Sequence, residues 1–220
     1  MSLGVYNGAG AGTTKLLLHM EGDATDSSGN SNNGTSTNIT YSQANGRFGM
    51  GAGFNGSSSY INIGTRSSAL NTFTWGCSIK CNNISNGHLF VAEQGSTGGI
   101  QTKVSDGGSH KIQLSIWNGS TTTTLVSNKS VDDNIWHRII FTRNGSTAKV
   151  YIDGVLDNTK TDMYTTIITP QAVYSCIGRH HSGVQYYTGS ADEILDENGE
   201  WTPQQVAKYY TYSRGRFGII

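Results

Sequence analysis

The chain has 220 residues, enough for one large domain or two small ones with a real core. Fifteen basic and fifteen acidic residues cancel, and no basic run occurs, which argues against a nucleic-acid or anionic-membrane partner. No apolar run approaches the roughly 20 residues needed to cross a bilayer, so no membrane insertion is expected. The opening "MSLGVYNGAGAGTTK" lacks the charged and apolar regions of a classical signal peptide.

With 29 glycines, two prolines and abundant Ser, Thr and Asn, the composition suits strands and turns better than helices. A glycine-rich arm (1–14) is followed by strand signals at "KLLLHM" (15–20), "GAGFNG" (51–56) and residues 58–64. Next comes "FTWGCSIKC" (73–81), whose period of two puts Cys77 and Cys81 on one apolar face. Four residues along a strand is about 13 Å, too far for a disulfide between them. Both read as buried thiols, and Cys176 leaves the count odd. Strand signals continue at "GHLFVAEQ" (87–94), "GIQTKV" (99–104), "HKIQLSIW" (110–117) and "TTTLVSN" (122–128). Then follow "WHRIIFTRN" (136–144), "AKVYIDGVL" (148–156), "AVYSCIG" (172–178) and "SADEIL" (190–195). The turns "NGST" at 144–147 and "DG" at 153–154 predict tight hairpins. One helix is expected, in "TPQQVAKYY" (202–210), with Thr202 as its cap and Gln205 completing a capping box. A dozen or so short strands divided by Gly/Asn turns indicate one all-β sandwich or barrel over 15–212, with a tail at 213–220.

Four stretches in order carry a resemblance: "LLLHMEGDATDSSGNSNNGT", "GAGFNGSSSYINIG", "IWHRIIFTRNGSTAKVYIDGVL" and "GSADEILDENGEWTPQQVAKYY". Together they resemble laminin-G-like domains of the concanavalin A-like lectin/glucanase superfamily. The resemblance implies a jelly-roll β-sandwich of two curved antiparallel sheets closed by a short helix, with Phe54 and Tyr60 as anchors. A lone domain with a Gly/Ala-rich arm and a tail ending "GRFGII" is also similar to domains in bacteriophage structural proteins. That likeness implies a non-enzymatic virion-surface or accessory protein, such as a capsid decoration, tail or fibre component. Its partners would be other subunits, in a homo-oligomer or larger assembly, with Phe217, Ile219 and Ile220 packing on neighbours. The alternative is a soluble glycan-binding lectin acting on cell-surface glycans outside the cell.

The densest chemistry lies in "GSADEILDENGE" (189–200), which holds five carboxylates. On a regular strand Leu195 interrupts the face of Glu193 and Glu197, and Ile194 that of Asp192 and Asp196. A retaining glycosidase needs two carboxyl groups about 5 Å apart, so the glucanase likeness fails there. The strand is expected to end near Leu195, leaving Glu193, Asp196, Glu197 and Glu200 solvated. The family resemblance implies a structural calcium at Asp26, Asn30 and Asp192, since calcium takes mixed oxygen ligands. The alternative is an Asx turn at Asp26, with Asp192 bonded to that loop without metal. For glycans, Trp117 is out of phase with Ile112, Leu114 and Ile116 and shares a face with Gln113. The loop "RHHSGVQYY" (179–187) adds His181, Tyr186 and Tyr187 as candidates.

Overall fold

The computed structural model describes residues 14–64, 71–82, 87–94, 98–104, 108–165 and 174–215. The glycine-rich arm (apart from Thr14) and the candidate assembly residues Phe217, Ile219 and Ile220 lie outside the described residues. β1 (Thr14–Leu18) is followed by three short strands, β2 (Thr35–Thr37), β3 (Thr40–Ser42) and β4 (Gly51–Asn55). β5 (Tyr60–Gly64), β6 (Thr72–Lys80), β7 (Gly87–Gln94) and β8 (Gly98–Val104) come next. The middle of the chain forms β9 (Lys111–Trp117), β10 (Thr122–Ser130), β11 (His137–Asn144), β12 (Thr147–Ile152) and β13 (Val155–Lys160). β14 (Tyr174–Ile177), the long β15 (Thr188–Asn198) and helix α1 (Pro203–Gly215) complete the set.

The strands form two antiparallel sheets. The first runs β13-β12-β11-β6-β15-β4-β3, with β1 also on β15; the second runs β10-β9-β8-β7-β14-β5-β2. β15 pairs with β6 along one side and with β4 and then β1 along the other. Between the sheets, Trp75 stacks on Phe90 across 5.2 Å and on Phe141 across 6.5 Å. Each such buried aromatic contributes about 3 kcal/mol of apolar burial. Cys77 and Cys81 are buried in this core as free thiols, and Cys176 is also buried, its thiol donating to Arg179 O (3.2 Å). Burial pushes the Cys77 and Cys81 thiols up to about 12, so both stay protonated and inert. Phe54 joins the core, but Tyr60 does not: it is half-buried beneath the Arg179 guanidinium, 3.6 Å from its ring centre.

Both expected hairpins form. Asp153 and Gly154 take φ of 55° and 84° between β12 and β13, and Gly145 takes 58° between β11 and β12. The capping box is also present: Thr202 Oγ1 accepts the Gln205 N–H (3.2 Å), and Gln205 Oε1 accepts the Thr202 N–H (2.8 Å). α1 runs to Gly215, beyond the two turns expected, and lies on the outer face of the first sheet. There Trp201, Val206 and Tyr209 pack against Leu17, Ile140, Tyr151 and Leu195. The helix thus covers part of that face, whereas no α-helix among the described residues packs on the second sheet.

Candidate functional site: a polar groove on the second sheet

On β9 the period of two sends Ile112, Leu114 and Ile116 into the core and turns Gln113, Ser115 and Trp117 outward. The register sets Gly99 of β8 and Thr122 of β10 on either side of Trp117. One row along, Gln101 and Thr124 flank Ser115; in the next, Lys103 faces Gln113. These seven residues line a groove of about 320 Å³ across β8, β9 and β10. Gln113 Nε2 donates to Ser115 Oγ (3.2 Å), and Ser115 Oγ lies 3.0 Å from Thr124 Oγ1, so the floor is held in place. Trp117 is half-buried, and Gly99 adds no side chain against its flank. An aromatic face beside fixed amides and hydroxyls suits a ligand with one apolar face and a polar rim.

The loop between β14 and β15 closes one side. His88 Nε2 and Gln101 Oε1 are 2.9 Å apart, and Gln101 Nε2 is 3.5 Å from His180 Nε2. His180 in turn lies against His88 (ring centres 5.0 Å apart) and His181 (4.3 Å). Of the residues expected from sequence, Trp117 and Gln113 are brought together in the groove, and His181 adjoins it through His180. Tyr186 is half-buried and bridges His88. Tyr187 is corrected: it is 0 % exposed, edge-on to Phe54 at 5.6 Å, with its hydroxyl donating to Ser190 O (3.1 Å). It belongs to the core and cannot touch a ligand. Sequence reasoning missed Gln101, Lys103, Ser115, Thr122 and Thr124. The alternation in "GIQTKV" places Gln101 and Lys103 opposite to Ile100 and Val104, but only the register brings them beside Trp117.

The acidic segment also departs from expectation. β15 continues to Asn198, and its register against β6 slips between Asp192 and Leu195. Glu193 takes φ of 51°, so the strand bulges and its phase reverses. Asp192, Leu195 and Glu197 then share the outer face, while Ile194 and Asp196 point inward beside Leu16 and Trp75. Glu193, Asp196 and Glu197 are 5 %, 3 % and 0 % exposed, so the expected solvation of these three is wrong. Glu193 Oε1 is 2.9 Å from His19 Nδ1, and Lys149 pairs with Glu200 at 2.6 Å. Glu197 accepts the Trp201 indole N–H (2.5 Å) and the Thr14 hydroxyl (2.9 Å). Burial raises its pKa against those two hydrogen bonds.

The three residues implied for calcium do not fit it. Asp26 Oδ1 accepts the N–H groups of Leu17 (3.0 Å) and Ser28 (2.9 Å). Its Oδ2 accepts the Ser28 hydroxyl (2.8 Å) and the Asn32 N–H (2.9 Å). Asn30 donates to Thr14 O (2.7 Å). Hydrogen donors, where a cation would need further oxygens, surround Asp26. Asp192 does not reach that loop: its Oδ2 accepts the N–H groups of Arg47 (2.9 Å) and Phe48 (3.0 Å). Among the described residues, no cluster of three or more His, Cys, Asp or Glu could hold a metal. Asp26 is therefore the organising centre of an Asx-type loop, and Asp192 pins a different one.

The two-sheet sandwich with its closing helix is that of a lectin-like module. Residues 55–207 match the concanavalin A-like lectin/glucanases superfamily, and the chain belongs to it. No curated protein matches the sequence. Similar solved structures include domain 4 of an extracellular arabinanase from Geobacillus stearothermophilus, in complex with arabinotriose. It is 21 % identical with a TM-score of 0.72, over 89 % of this chain and 97 % of that one. The binding domain of paraclostridial mosquitocidal protein 1 is 14 % identical with a TM-score of 0.72, over 92 % of this chain and 53 % of its own. Botulinum neurotoxin type C, whose cell entry depends on two ganglioside molecules, is 12 % identical with a TM-score of 0.68, over 91 % and 51 %. This chain spans about half the length of those toxin chains, and at these identities the likeness is one of fold. These relatives are an enzyme's domain and toxin binding domains, not phage proteins, so the expected virion role gains no support from them. Among the described residues, no helix is long and apolar enough to cross a membrane.

Proposed function

We propose that this protein is a non-enzymatic glycan-binding module whose site is the groove around Trp117. The observation that carries the reading is a half-buried indole beside fixed amides and hydroxyls that line a groove on the second sheet's outer face, with Gln113 and Ser115 each 6 % exposed on its floor. Sugars present an apolar C–H face that stacks on such a ring and hydroxyls that exchange hydrogen bonds with Gln101, Gln113 and Thr124. Arabinotriose in one similar domain and gangliosides for another are consistent with this ligand class. A hydrolytic role is disfavoured because the acidic strand's buried carboxylates bond to His19, Trp201, Thr14 and the backbone of Arg47 and Phe48 rather than facing this groove.

A glycan array probed with the wild type and Trp117→Ala tests the reading. At least one glycan class is expected to bind the wild type, and Trp117→Ala should weaken it at least about tenfold. No binding, or binding indifferent to Trp117, would overturn it.

A further inference from the structure

β10 carries Thr122 and Thr124 of the groove, yet it is a terminal strand: among the described residues it pairs with β9 alone. That pairing is regular from Thr122 to Val126, and the register slips before Ser130. β13 is the terminal strand of the other sheet, and its pairing with β12 slips as well, between Leu156 and Asn158. Asp157 is the residue that this register skips. A bulge of that kind re-aims a side chain.

The two irregular stretches meet. Asp157 Oδ2 accepts the N–H of Asn128 (2.5 Å), and its Oδ1 accepts that of Lys129 (3.1 Å). In return Asn128 Nδ2 donates to Asp157 O (2.7 Å), and Asn158 Nδ2 donates to Val126 O (2.8 Å). Further along, the Tyr164 N–H donates to Thr123 Oγ1 (3.2 Å). Water can satisfy strand-end groups of this kind, but it does not fix where they sit. The chain from Asp157 to Tyr164 thus holds the far edge of β10, with contacts on both sides of Thr124 in sequence.

The consequence falls on the groove. Thr124 Oγ1 lies 3.0 Å from Ser115 Oγ across the β9–β10 pair. Hydrogen bonds weaken steeply with misalignment, so a β10 free to shift would displace the hydroxyl that Thr124 offers a sugar. Resting on the glycan-binding reading, we propose that Asp157 and Asn158 are positioning residues for the groove, acting from the opposite sheet through β10 and Thr124. Neither lines the groove itself.

Arabinotriose, maltotriose and cellotriose are the probes, titrated calorimetrically into the wild type, and the tightest is carried through the variants. These are Asp157→Ala, Asn158→Ala, Thr124→Ala and the two double variants that include Thr124→Ala. Asp157→Ala and Asn158→Ala should each weaken binding about fivefold alone, and less than about twofold in the Thr124→Ala background. Asp157→Asn keeps an acceptor oxygen and should recover most of the loss. A merely structural role would lower the melting temperature without this dependence on Thr124. Wild-type affinity in either single variant, or an equal loss in both backgrounds, would overturn the inference. Binding that still depends on Trp117 would then leave the glycan-binding reading standing. If Asp157→Ala does not fold, Asn158→Ala decides by the same cycle. If Thr124→Ala binds too weakly to measure, hydrogen exchange decides: the amides from Thr122 to Val126 should lose protection in Asp157→Ala, and unchanged protection overturns the inference. If no probe binds the wild type, the inference falls, and the array decides the broader reading separately.

Discussion

Asp192 shows how a single carboxyl can look functional and act structurally. It is 0 % exposed, its Oδ2 accepts two backbone N–H groups, and Oδ1 has no hydrogen-bond partner among the described residues. Burial pushes its pKa up to about 7, outweighing the two N–H groups that favour the charged form. The folded state thus holds this proton more tightly than the unfolded chain, whose value is near 3.8. The stability from that proton is full below about pH 4 and is lost as pH rises through about 7. Asp192→Ala strands both N–H groups and should cost about 3 kcal/mol, whereas Asp192→Asn keeps an acceptor and should stay within about 1 kcal/mol near neutral pH. The melting temperature of the wild type relative to Asp192→Asn should fall between about pH 4 and pH 8. A difference that grows with pH would mean that the carboxylate is charged and stabilised by the nearby Arg47 and Arg138. Both of those guanidinium groups donate to Ser78 Oγ.

At the scale of elements, β15 and α1 act as one unit. The bulge at Glu193 turns Leu195 and Glu197 onto the outer face, and Trp201 closes over them with its indole N–H on Glu197. Trp201→Phe removes that donor from a fully buried carboxylate and should cost about 2 kcal/mol, read as a lower urea midpoint. A midpoint shift within error would mean that packing alone holds the helix. β9 was legible in the sequence because its alternation is unbroken. The bulge was not, since a glutamate carries no turn signal and a one-residue slip inverts every later side chain. The expectation that Glu193, Asp196 and Glu197 are solvated failed for that reason. Likewise, "TYSRG" has little helical signal of its own. Tertiary contact anchors the helix just before that stretch, where Tyr209 packs edge-on to Trp201 at 5.0 Å and beneath Arg138 at 4.6 Å.

For the whole molecule, the two sheets divide the work. The first spends its outer face on α1 and a buried charge network, and the second holds the groove across β8, β9 and β10 beside Trp117. The sandwich could be read from strand spacing and turn residues. Half of the groove could be read too, because Trp117 and Gln113 fall out of phase with the core. Lys103, Gln101 and Thr124 needed the register between three strands, which no single strand encodes. The most direct test of the account follows amide and indole NMR signals as the best-binding glycan from the array is titrated in. The account predicts that shifts will concentrate on the Trp117 indole N–H, the Gln101 and Gln113 side-chain amides, and the backbone of β8 to β10. Shifts centred instead on the polar rim at Asn32, Asn33 and Asn62, with Trp117 unmoved, would contradict it.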